Sequence, residues 1–393
     1  MTETISRLAA EGVAIWLDDL SRARLISGDL ARMVETGEIV GVTTNPTIFS
    51  KSISGGSGYE DQLRDLALRG VAAAEALRLL TAWDVRAACD VLHPVFARTG
   101  TRDGRVSIEV DPRISGDAER TAAEARGLWW LVDRPNLFIK IPATQAALPA
   151  ITESIADGIS VNVTLIFSLD RYRAVLDAFL TGLERRAAAG EDLVGIESVA
   201  SFFVSRVDTE VDKRLADLPS ALSLDAKAAL HGTAALANAR LAYEIYEETA
   251  ASQRWKDLAG QGASLQRLLW ASTGVKDKAF APTRYVTELV ARDTVNTVPE
   301  ATLRAVASMD EPTPNTISHR YEESRATIAE LAAHGVDLSA VADALERDGL
   351  RSFVKSWDEL VVSVEDKLKN AGQVVTSIGA GKTSEEHEPS FRS

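Results

Sequence analysis

The 393-residue chain combines 46% hydrophobic with 25% charged residues, a composition that can fill a large packed core. Its 57 acidic residues outnumber 43 basic ones, and the net charge of -14 argues against binding to nucleic acid or to an anionic membrane. A single cysteine, Cys89, excludes an internal disulfide, and no stretch reaches the roughly 18 apolar residues of a bilayer span. We therefore expect a cytoplasmic protein with no nucleic-acid or membrane partner.

Eight short apolar runs, rich in β-branched residues, recur along the chain, and most of them end in polar residues. Continuous apolar runs of this length are typical of strands buried on both faces, as in parallel sheets. The predicted strands are Ala14–Asp19, Val40–Asn45, Val106–Asp111, Leu137–Ala143, Ile159–Phe167, Val194–Val204, Leu268–Thr273 and Thr294–Val298.

Helical patterns rich in Ala, Leu, Arg and Glu lie between these runs, and Asp117 and Ser168 are suitable N-caps for two of them. The clearest predicted helices are Tyr59–Leu80, Asp117–Leu131, Leu169–Ala189 and Ala226–Glu248. Eight strands that alternate with helices predict a (β/α)8 barrel. An open doubly wound sheet is the alternative, and the lack of a GxGxxG turn after the first strand disfavours it.

The chain is longer than a minimal barrel, and much of the excess follows the last strand. This region contains two predicted helical stretches, Arg320–Arg347 and Ser352–Gly372, which we expect to cover the barrel or a partner surface. The end, Gly379–Ser393, is rich in Gly, Ser and Glu and is predicted to be disordered. Because no Pro/Gly-rich linker or internal repeat divides the rest, residues 1–378 are predicted to form one barrel domain with C-terminal helices.

Lys140 lies inside an apolar strand, in the segment LFIKIPAT. Because side chains alternate along a strand, Phe138, Lys140 and Pro142 share one face, which would present the lysine to the barrel interior. A buried ammonium is costly, and a desolvated lysine gives up its proton more readily and can attack a carbonyl to form a Schiff base. The alternative is a structural lysine that pairs with a carboxylate at a strand end.

Polar residues recur where the predicted strands end, at the mouth from which barrel enzymes draw their catalytic residues. They are Asp18, Asp19, Thr43, Thr44, Asn45, Glu109, Asp111, Asn162, Thr164, Ser201, Ser272 and Thr273. Schiff-base aldol chemistry needs an acid/base for a hydroxyl proton and a second one to dehydrate the carbinolamine, roles that suit Asp18 and Glu109. It also needs groups that hold sugar hydroxyls, which Asn45, Asn162 and Thr164 could supply.

Eight segments resemble, in sequence and in order, the motifs of the transaldolase family. They are WLDDLSR (Trp16–Arg22), VTTNPTIF (Val42–Phe49), SIEVDPR (Ser107–Arg113), NLFIKIPAT (Asn136–Thr144), NVTLIFS (Asn162–Ser168), SRVDTEVD (Ser205–Asp212), WASTGVKD (Trp270–Asp277) and TVNTVPEATL (Thr294–Leu303). The resemblance runs from Trp16 to Leu303, with no comparable signature after it. The longer chain is similar to the actinobacterial and cyanobacterial branch of this class I Schiff-base family.

The resemblance implies a role for each catalytic position. Lys140 would form the Schiff base, and Asp18 would be the acid/base that ends the first strand, although the adjacent Asp19 leaves a one-residue ambiguity. Glu109 would activate a water molecule together with Thr164. No metal and no cofactor is implied.

The resemblance also implies a set of substrate-binding residues. They are Thr43, Asn45, Asn162, Ser201, Arg206, Ser272 and Lys276. Asn45 would bond to the dihydroxyacetone moiety and Asn162 to a substrate hydroxyl, while the last four would form the phosphate pocket. Lys276 departs from the family pattern, which has an arginine as the second cation, and a lysine binds phosphate without a bidentate fork.

The implied reaction transfers dihydroxyacetone from sedoheptulose 7-phosphate to glyceraldehyde 3-phosphate, giving erythrose 4-phosphate and fructose 6-phosphate, in the pentose phosphate pathway. One alternative is a fructose 6-phosphate aldolase, a shorter relative with tyrosine in place of Glu109 that releases free dihydroxyacetone. A barrel that only binds sugar phosphates is a second alternative, which the retained lysine and carboxylates disfavour. Metal-dependent aldolase chemistry is disfavoured because the five histidines form no HxxH, HxH or HExxH pair.

Overall fold

A computed structural model describes residues 3–218, 224–309 and 314–380, and in them eight parallel strands close into a barrel. The strands are β1 (Val13–Leu17), β2 (Gly41–Val42), β3 (Arg105–Glu109), β4 (Leu137–Pro142), β5 (Val161–Ile166), β6 (Ser198–Phe203), β7 (Arg267–Ala271) and β8 (Thr294–Val298). Each strand pairs with its neighbours in sequence, and β8 pairs with β1. The predicted (β/α)8 fold is confirmed, and every strand overlaps one of the eight predicted runs.

Helices surround the barrel, with a short 3-10 helix at Pro112–Ile114. They are α1 (Glu3–Ala10), α2 (Arg22–Ile26), α3 (Asp29–Glu35), α4 (Pro46–Gly55), α5 (Glu60–Leu68), α6 (Ala73–Arg98), α7 (Ala118–Val132), α8 (Leu148–Ala156), α9 (Leu169–Ala188), α10 (Ser205–Asp217), α11 (Leu224–Leu230), α12 (Ala234–Ala251), α13 (Gln253–Ala259), α14 (Arg284–Thr287), α15 (Glu300–Ala307), α16 (Tyr321–Ala333) and α17 (Leu338–Ala380). Among these helices, none combines the length and apolar character that crossing a membrane requires.

Two predicted helices are each divided in the structure. The stretch predicted as Tyr59–Leu80 becomes α5 and the start of α6, separated at Gly70, which has a φ of 65°. The stretch predicted as Ala226–Glu248 is interrupted beside Gly232, with a φ of 67°. Both breaks use the left-handed conformation that glycine adopts without a steric penalty, which ends the first helix of each pair.

The C-terminal helices also differ from the prediction. The break expected between Arg347 and Ser352 is absent, and α17 runs through it without interruption. The chain turns earlier, at Gly335, whose φ of 84° ends α16. Helix α17 includes Gly379 and Ala380, the first residues of the predicted tail, while residues 381–393 lie outside the described ranges. The assignment of residues 1–378 to one domain stays a prediction.

Large side chains fill the interior of the barrel towards the N-terminal ends of the strands. Trp16 on β1 stacks against Phe138 on β4, with 6.1 Å between ring centroids. The indole occupies space that only a glycine on the adjacent strand can leave, since a Cβ on Gly41 would lie 2.5 Å from its ring atoms. This packed layer leaves room for a cavity at the opposite, C-terminal end of the strands.

Candidate active site at the C-terminal mouth of the barrel

A cavity of about 290 Å³ opens at the C-terminal ends of the strands. Eight of the residues predicted to form the site line it: Asp18, Thr43, Asn45, Lys140, Ser201, Arg206, Ser272 and Lys276. Glu109, Asn162 and Thr164 do not line the cavity and are buried in the barrel. The eight side chains that line the cavity come from five different strands or their following segments, which the barrel brings to one rim.

Lys140 lies on β4 with only 5% of its surface exposed. Its Nζ donates a hydrogen bond to the Thr44 carbonyl oxygen at 2.9 Å and lies 3.5 Å from Glu109 Oε2. Glu109 is the partner of Lys140 in the register between β3 and β4. The lysine is therefore enclosed, held by a single backbone bond, and adjacent to a carboxylate while still facing the cavity.

Glu109 is buried without a hydrogen bond to either carboxylate oxygen from the described residues. Burial raises the pKa of Glu109 to about 7, and the Lys140 ammonium opposes this increase. The hydroxyl of Thr164, on the strand after Lys140, is likewise buried with no protein partner in the described ranges. A carboxyl group with a pKa near neutrality can exchange a proton at physiological pH.

The structure separates the two adjacent aspartates at the end of β1. Asp18 lines the cavity and accepts a 2.8 Å hydrogen bond from the Thr43 hydroxyl. Burial raises the pKa of Asp18, and the nearby Lys140 counteracts it. Asp19 instead forms a 3.1 Å ion pair with Arg24 on α2, away from the cavity lining. Of these two carboxylates, only Asp18 faces the cavity.

The predicted binding residues Asn45 and Asn162 have different surroundings. Asn45 lines the cavity, and its Oδ1 caps α4 by accepting a hydrogen bond from the Ile48 backbone. Asn162 donates to Ser107 Oγ at 3.0 Å and accepts from Ser201 Oγ at 2.7 Å. Both polar ends of Asn162 are thus engaged by the protein, and Ser201 is the member of this network that reaches the cavity.

One side of the cavity is cationic. Arg206 is the second residue of α10, whose N-terminus adds partial positive charge. Burial lowers the pKa of the Arg206 guanidinium and the negative charge of Asp18 opposes this shift, but no ion pair of Arg206 within 4 Å is formed in the described ranges. Ser272 has a left-handed φ of 55° and its Oγ lies 3.1 Å from Ser205 Oγ, while Lys276 is exposed beside them. A half-buried, unpaired arginine at a helix N-terminus is suited to an anion.

Several cavity-lining residues were not predicted from the sequence, among them Lys51, Thr297 and Phe353, whereas Thr44 was expected at the mouth without a role of its own. The Thr297 hydroxyl lies 2.6 Å from that of Thr43, the Thr44 carbonyl holds Lys140, and Lys51 and Phe353 line the cavity. Thr297 lies in a quoted motif and Lys51 follows Asn45 by six residues, so both were within reach of the motif comparison. Phe353 gives no such signal, because it is an apolar residue in a helix far from the motifs in sequence.

In the part of the chain that the structure describes, no group of three or more His, Cys, Asp or Glu side chains is arranged to hold a metal ion. The groups that face the cavity are a lysine, an aspartate, hydroxyl and amide groups, and further cations. A buried lysine beside carboxylates at the C-terminal mouth of a (β/α)8 barrel is the arrangement that Schiff-base aldol chemistry requires.

Comparison with known proteins defines the group more narrowly. Residues 15–364 match the family model described as transaldolase/fructose-6-phosphate aldolase. A transaldolase of Parafrankia sp. (strain EAN1pec) is 56% identical over 94% of this chain and 100% of its own length, and one of Thermobifida fusca is 58% identical over 94% and 99%. Transaldolase 2 of Streptomyces coelicolor is 57% identical over 94% and 98%. The chain therefore belongs to the transaldolase/fructose-6-phosphate aldolase family.

The extent of the match corrects one prediction. The motifs indicated that the resemblance ends at Leu303, whereas the family match continues to residue 364. It therefore includes the part of α17 that contributes Phe353 to the cavity. The earlier limit was wrong because this region carries amphipathic helical sequence without polar motifs at strand ends.

Proposed function

We propose that this protein is a transaldolase that transfers dihydroxyacetone from sedoheptulose 7-phosphate to glyceraldehyde 3-phosphate, giving erythrose 4-phosphate and fructose 6-phosphate. The enclosed Lys140, 3.5 Å from Glu109 and in one cavity with Asp18, is the observation that carries the proposal. The names of the relatives, all transaldolases over nearly their full lengths, support the same reaction. In metabolism it belongs to the pentose phosphate pathway.

Carbon–carbon cleavage follows from this arrangement in a balanced sequence. The Lys140 amine attacks C2 of the donor ketose, and loss of water from the carbinolamine gives an iminium ion. The Asp18 carboxylate takes the proton of the C4 hydroxyl, the C3–C4 bond breaks, and its electron pair passes to the iminium to form an enamine. Erythrose 4-phosphate leaves while the three-carbon unit stays on the lysine.

The second half-reaction reverses these steps with a different aldehyde. The enamine carbon C3 adds to C1 of glyceraldehyde 3-phosphate, and the protonated Asp18 returns its proton to the new hydroxyl. Water then adds to the iminium ion, fructose 6-phosphate leaves, and the amine is restored. Burial raises the pKa of Asp18, which makes its carboxylate a stronger base for removing the hydroxyl proton.

We assign formation and hydrolysis of the Schiff base to Glu109 together with Thr164. Their buried oxygens have no protein partner in the described ranges, and a water molecule bound between them would satisfy both groups. With a pKa of about 7, Glu109 can take a proton from that water and return it. Asn162 then acts by orienting Ser201 towards the substrate, while Thr43 orients Asp18.

The phosphate is assigned to Arg206, Ser272 and Lys276, on the cationic side of the cavity. Arg206 supports this role because it is half-buried with no counter-ion in the described part of the chain. Lys276 contributes a point charge from the segment after β7. In an Arg206→Ala variant, KM for the phosphorylated ketose should rise by about tenfold or more. Turnover of a non-phosphorylated ketose should fall far less. Equal losses on both substrates would remove the phosphate role; Arg214→Ala, on the same helix, is the control.

Borohydride trapping tests the central proposal. Protein incubated with fructose 6-phosphate and reduced should gain the mass of one reduced dihydroxyacetone unit, and peptide mapping should place it on Lys140. The same preparation should transfer this unit to erythrose 4-phosphate. An adduct with release of dihydroxyacetone but no transfer would indicate the aldolase reaction instead. Folded protein that gives neither adduct nor product would overturn the assignment.

A further inference from the structure

Helix α17 crosses the mouth of the barrel. Near its start Glu346 pairs with Arg171 on α9 at 3.2 Å, and two turns beyond Gly349 the Ser356 hydroxyl lies 3.0 Å from that of Thr47 on α4. Asp358 then pairs with Arg113 in the 3-10 helix at 3.3 Å. Because α9 follows β5 and α4 follows β2, the helix passes from one side of the cavity to the other.

Gly349 allows this helix to approach the site closely. A glycine inside a helix is destabilising relative to alanine, so its presence calls for a packing reason. A Cβ at this position would lie 3.0 Å from Leu165 Cδ2 and 3.5 Å from an Arg206 terminal nitrogen. The backbone of α17 therefore rests directly on the end of β5 and beside the guanidinium assigned to phosphate.

Leu165 gives independent support for the same contact. It has a φ of 60°, unusual for a bulky residue, at the irregularity where the register of β5 against β6 shifts. Such a conformation is retained where the surrounding structure enforces it, typically near functional sites. Its side chain, only 1% exposed, lies under Gly349. The end of β5 is thus shaped to receive α17.

Phe353 lies one helical turn after Gly349, on the same face of α17. Its ring centroid is 5.7 Å from Lys140 Nζ, it is 4% exposed, and it lines the cavity together with Asp18. It is also the only residue of α17 in the described range that does so. An aromatic ring therefore covers the reactive amine from a helix that supplies none of the acid/base groups.

We propose that Phe353 is a specificity-determining residue that retains the three-carbon unit on the enzyme until an acceptor aldehyde arrives. The proposal rests on the transaldolase reaction proposed above. The covalent enamine has two fates: its C3 can attack an aldehyde, or it can take a proton from water. In the second fate the resulting iminium ion is hydrolysed, which frees dihydroxyacetone and the lysine amine.

The position of Phe353 discriminates between these two fates. Its ring closes the cavity above Lys140 and keeps bulk water, the source of the unwanted proton, away from C3. The acceptor can still enter beside the cationic side, where its phosphate binds. Hydrolysis of the completed product does not depend on bulk water, because the water activated by Glu109 serves that step.

A ratio of two rates measures this role. Dihydroxyacetone released from fructose 6-phosphate without acceptor is compared with transfer to erythrose 4-phosphate, using one preparation of each protein. In Phe353→Ala the ratio of release to transfer should rise by about tenfold or more, because water reaches the enamine. Phe353→Leu, which refills most of the volume, should remain near the wild-type ratio, as should Val362→Ala, an exposed position on the same helix.

The design separates failure of this inference from failure of the proposed function. Wild-type protein that neither transfers nor gives a borohydride adduct contradicts the reaction itself. Wild-type activity together with an unchanged ratio in Phe353→Ala, whether both rates fall in parallel or neither changes, overturns the role of Phe353 alone. If the alanine variant does not fold, Phe353→Val, which also opens the space above Lys140, must raise the ratio in the same direction.

Discussion

The two ends of the barrel both bury charged side chains, and they surround them differently. At the N-terminal end, Arg105 donates hydrogen bonds to the carbonyl oxygens of Thr101, Pro135 and Gly195 and to a serine hydroxyl. Both terminal nitrogens of the Arg267 guanidinium there donate hydrogen bonds, one to the Asp103 carboxylate and the other to the Arg102 carbonyl oxygen. Polar groups that are paired in this way contribute to stability.

At the C-terminal end, charged groups are enclosed with far fewer partners. In the described ranges Glu109 has no hydrogen bond and only a 3.5 Å ion pair with Lys140, Lys140 itself makes one backbone bond, and Arg206 forms no ion pair within 4 Å. Burial raises the pKa of the Glu109 carboxyl group to about 7. Unpaired polar groups lower stability and remain free to interact with a substrate. Substitutions at the two ends should therefore separate: stability should change at one and catalysis at the other.

The largest effect is expected at Lys140. Lys140→Met should reduce transfer by about 10⁴-fold or more, because the covalent intermediate cannot form. Its free energy of unfolding at pH 6 should change little, because Glu109, with a pKa of about 7, is then largely protonated and needs no ammonium partner. Steady-state kinetics and chemical denaturation test both parts, with the exposed Lys256→Met as control. A severe loss of stability at pH 6 would mean that charged residues at the C-terminal end of the barrel stabilise the fold as those at the N-terminal end do.

The adjacent carboxylates Asp18 and Asp19 allow a residue that faces the cavity to be compared with one that lies outside it. Asp18→Asn should lower kcat by about 10²–10³-fold, since the amide cannot accept the C4 hydroxyl proton. Asp19→Asn should lower it by less than about threefold, because this carboxylate pairs with Arg24 in a partly exposed ion pair. Rapid-quench measurement of erythrose 4-phosphate formation compares the two, and the reverse order of effects would move the acid/base to the second position.

Substitutions at the N-terminal end of the barrel, here called the floor and represented by Arg105 and Arg267, should lower stability and leave catalysis nearly unchanged. Arg105→Met removes the donors to three carbonyl groups and a buried serine hydroxyl and should lower the free energy of unfolding by about 3 kcal/mol. Turnover of the folded fraction should stay within about twofold of wild type, since no part of Arg105 lines the cavity. Denaturant melts and active-site titration check both statements, and the exposed Arg120→Met on α7 is the matched control. A large loss of kcat in fully folded Arg105→Met would break the separation.

The barrel and the buried lysine on β4 could be predicted from the sequence because both leave periodic or chemical signals. The strands are short apolar runs, and Lys140 is a charge where such a strand should be apolar. Asp18 and Asp19 could not be told apart in the sequence, since both end the same strand and differ only in where the fold places them: Asp18 lines the cavity and Asp19 pairs with Arg24.

The C-terminal helices were expected to cover the barrel or a partner surface, but the residues that α17 contributes to the site could not be predicted. Phe353 and Gly349 come into the site through a long-range crossing, and glycine in a helical sequence is more often read as a break. The prediction indeed placed an interruption between Arg347 and Ser352, where the structure has continuous helix. Contacts between distant segments leave no local period, so their effect on the site appears only in three dimensions.

The smallest expected effect lies at Glu109, where catalysis and stability should change in opposite directions. Glu109→Gln should lower kcat by about 10²-fold and should remove the limb near pH 7 from the kcat/KM profile, because the amide cannot activate water. A profile that keeps this limb would assign it to another group. Glu119→Gln, which removes an exposed carboxylate on α7, is the control.

The free energy of unfolding should also depend on Glu109, in the opposite direction to kcat. Burial raises the pKa of Glu109 from 4.5 to about 7, so the folded protein holds this proton to a higher pH than the unfolded chain does. The stability that results is present below pH 4.5 and is lost as the pH rises through 7. Glutamine does not ionise, so Glu109→Gln should gain roughly 1–3 kcal/mol relative to wild type between pH 5 and pH 8. Denaturation at both pH values measures this difference, and parallel curves for the two proteins would show that the carboxylate is as well accommodated at the mouth as the guanidinium groups are at the floor.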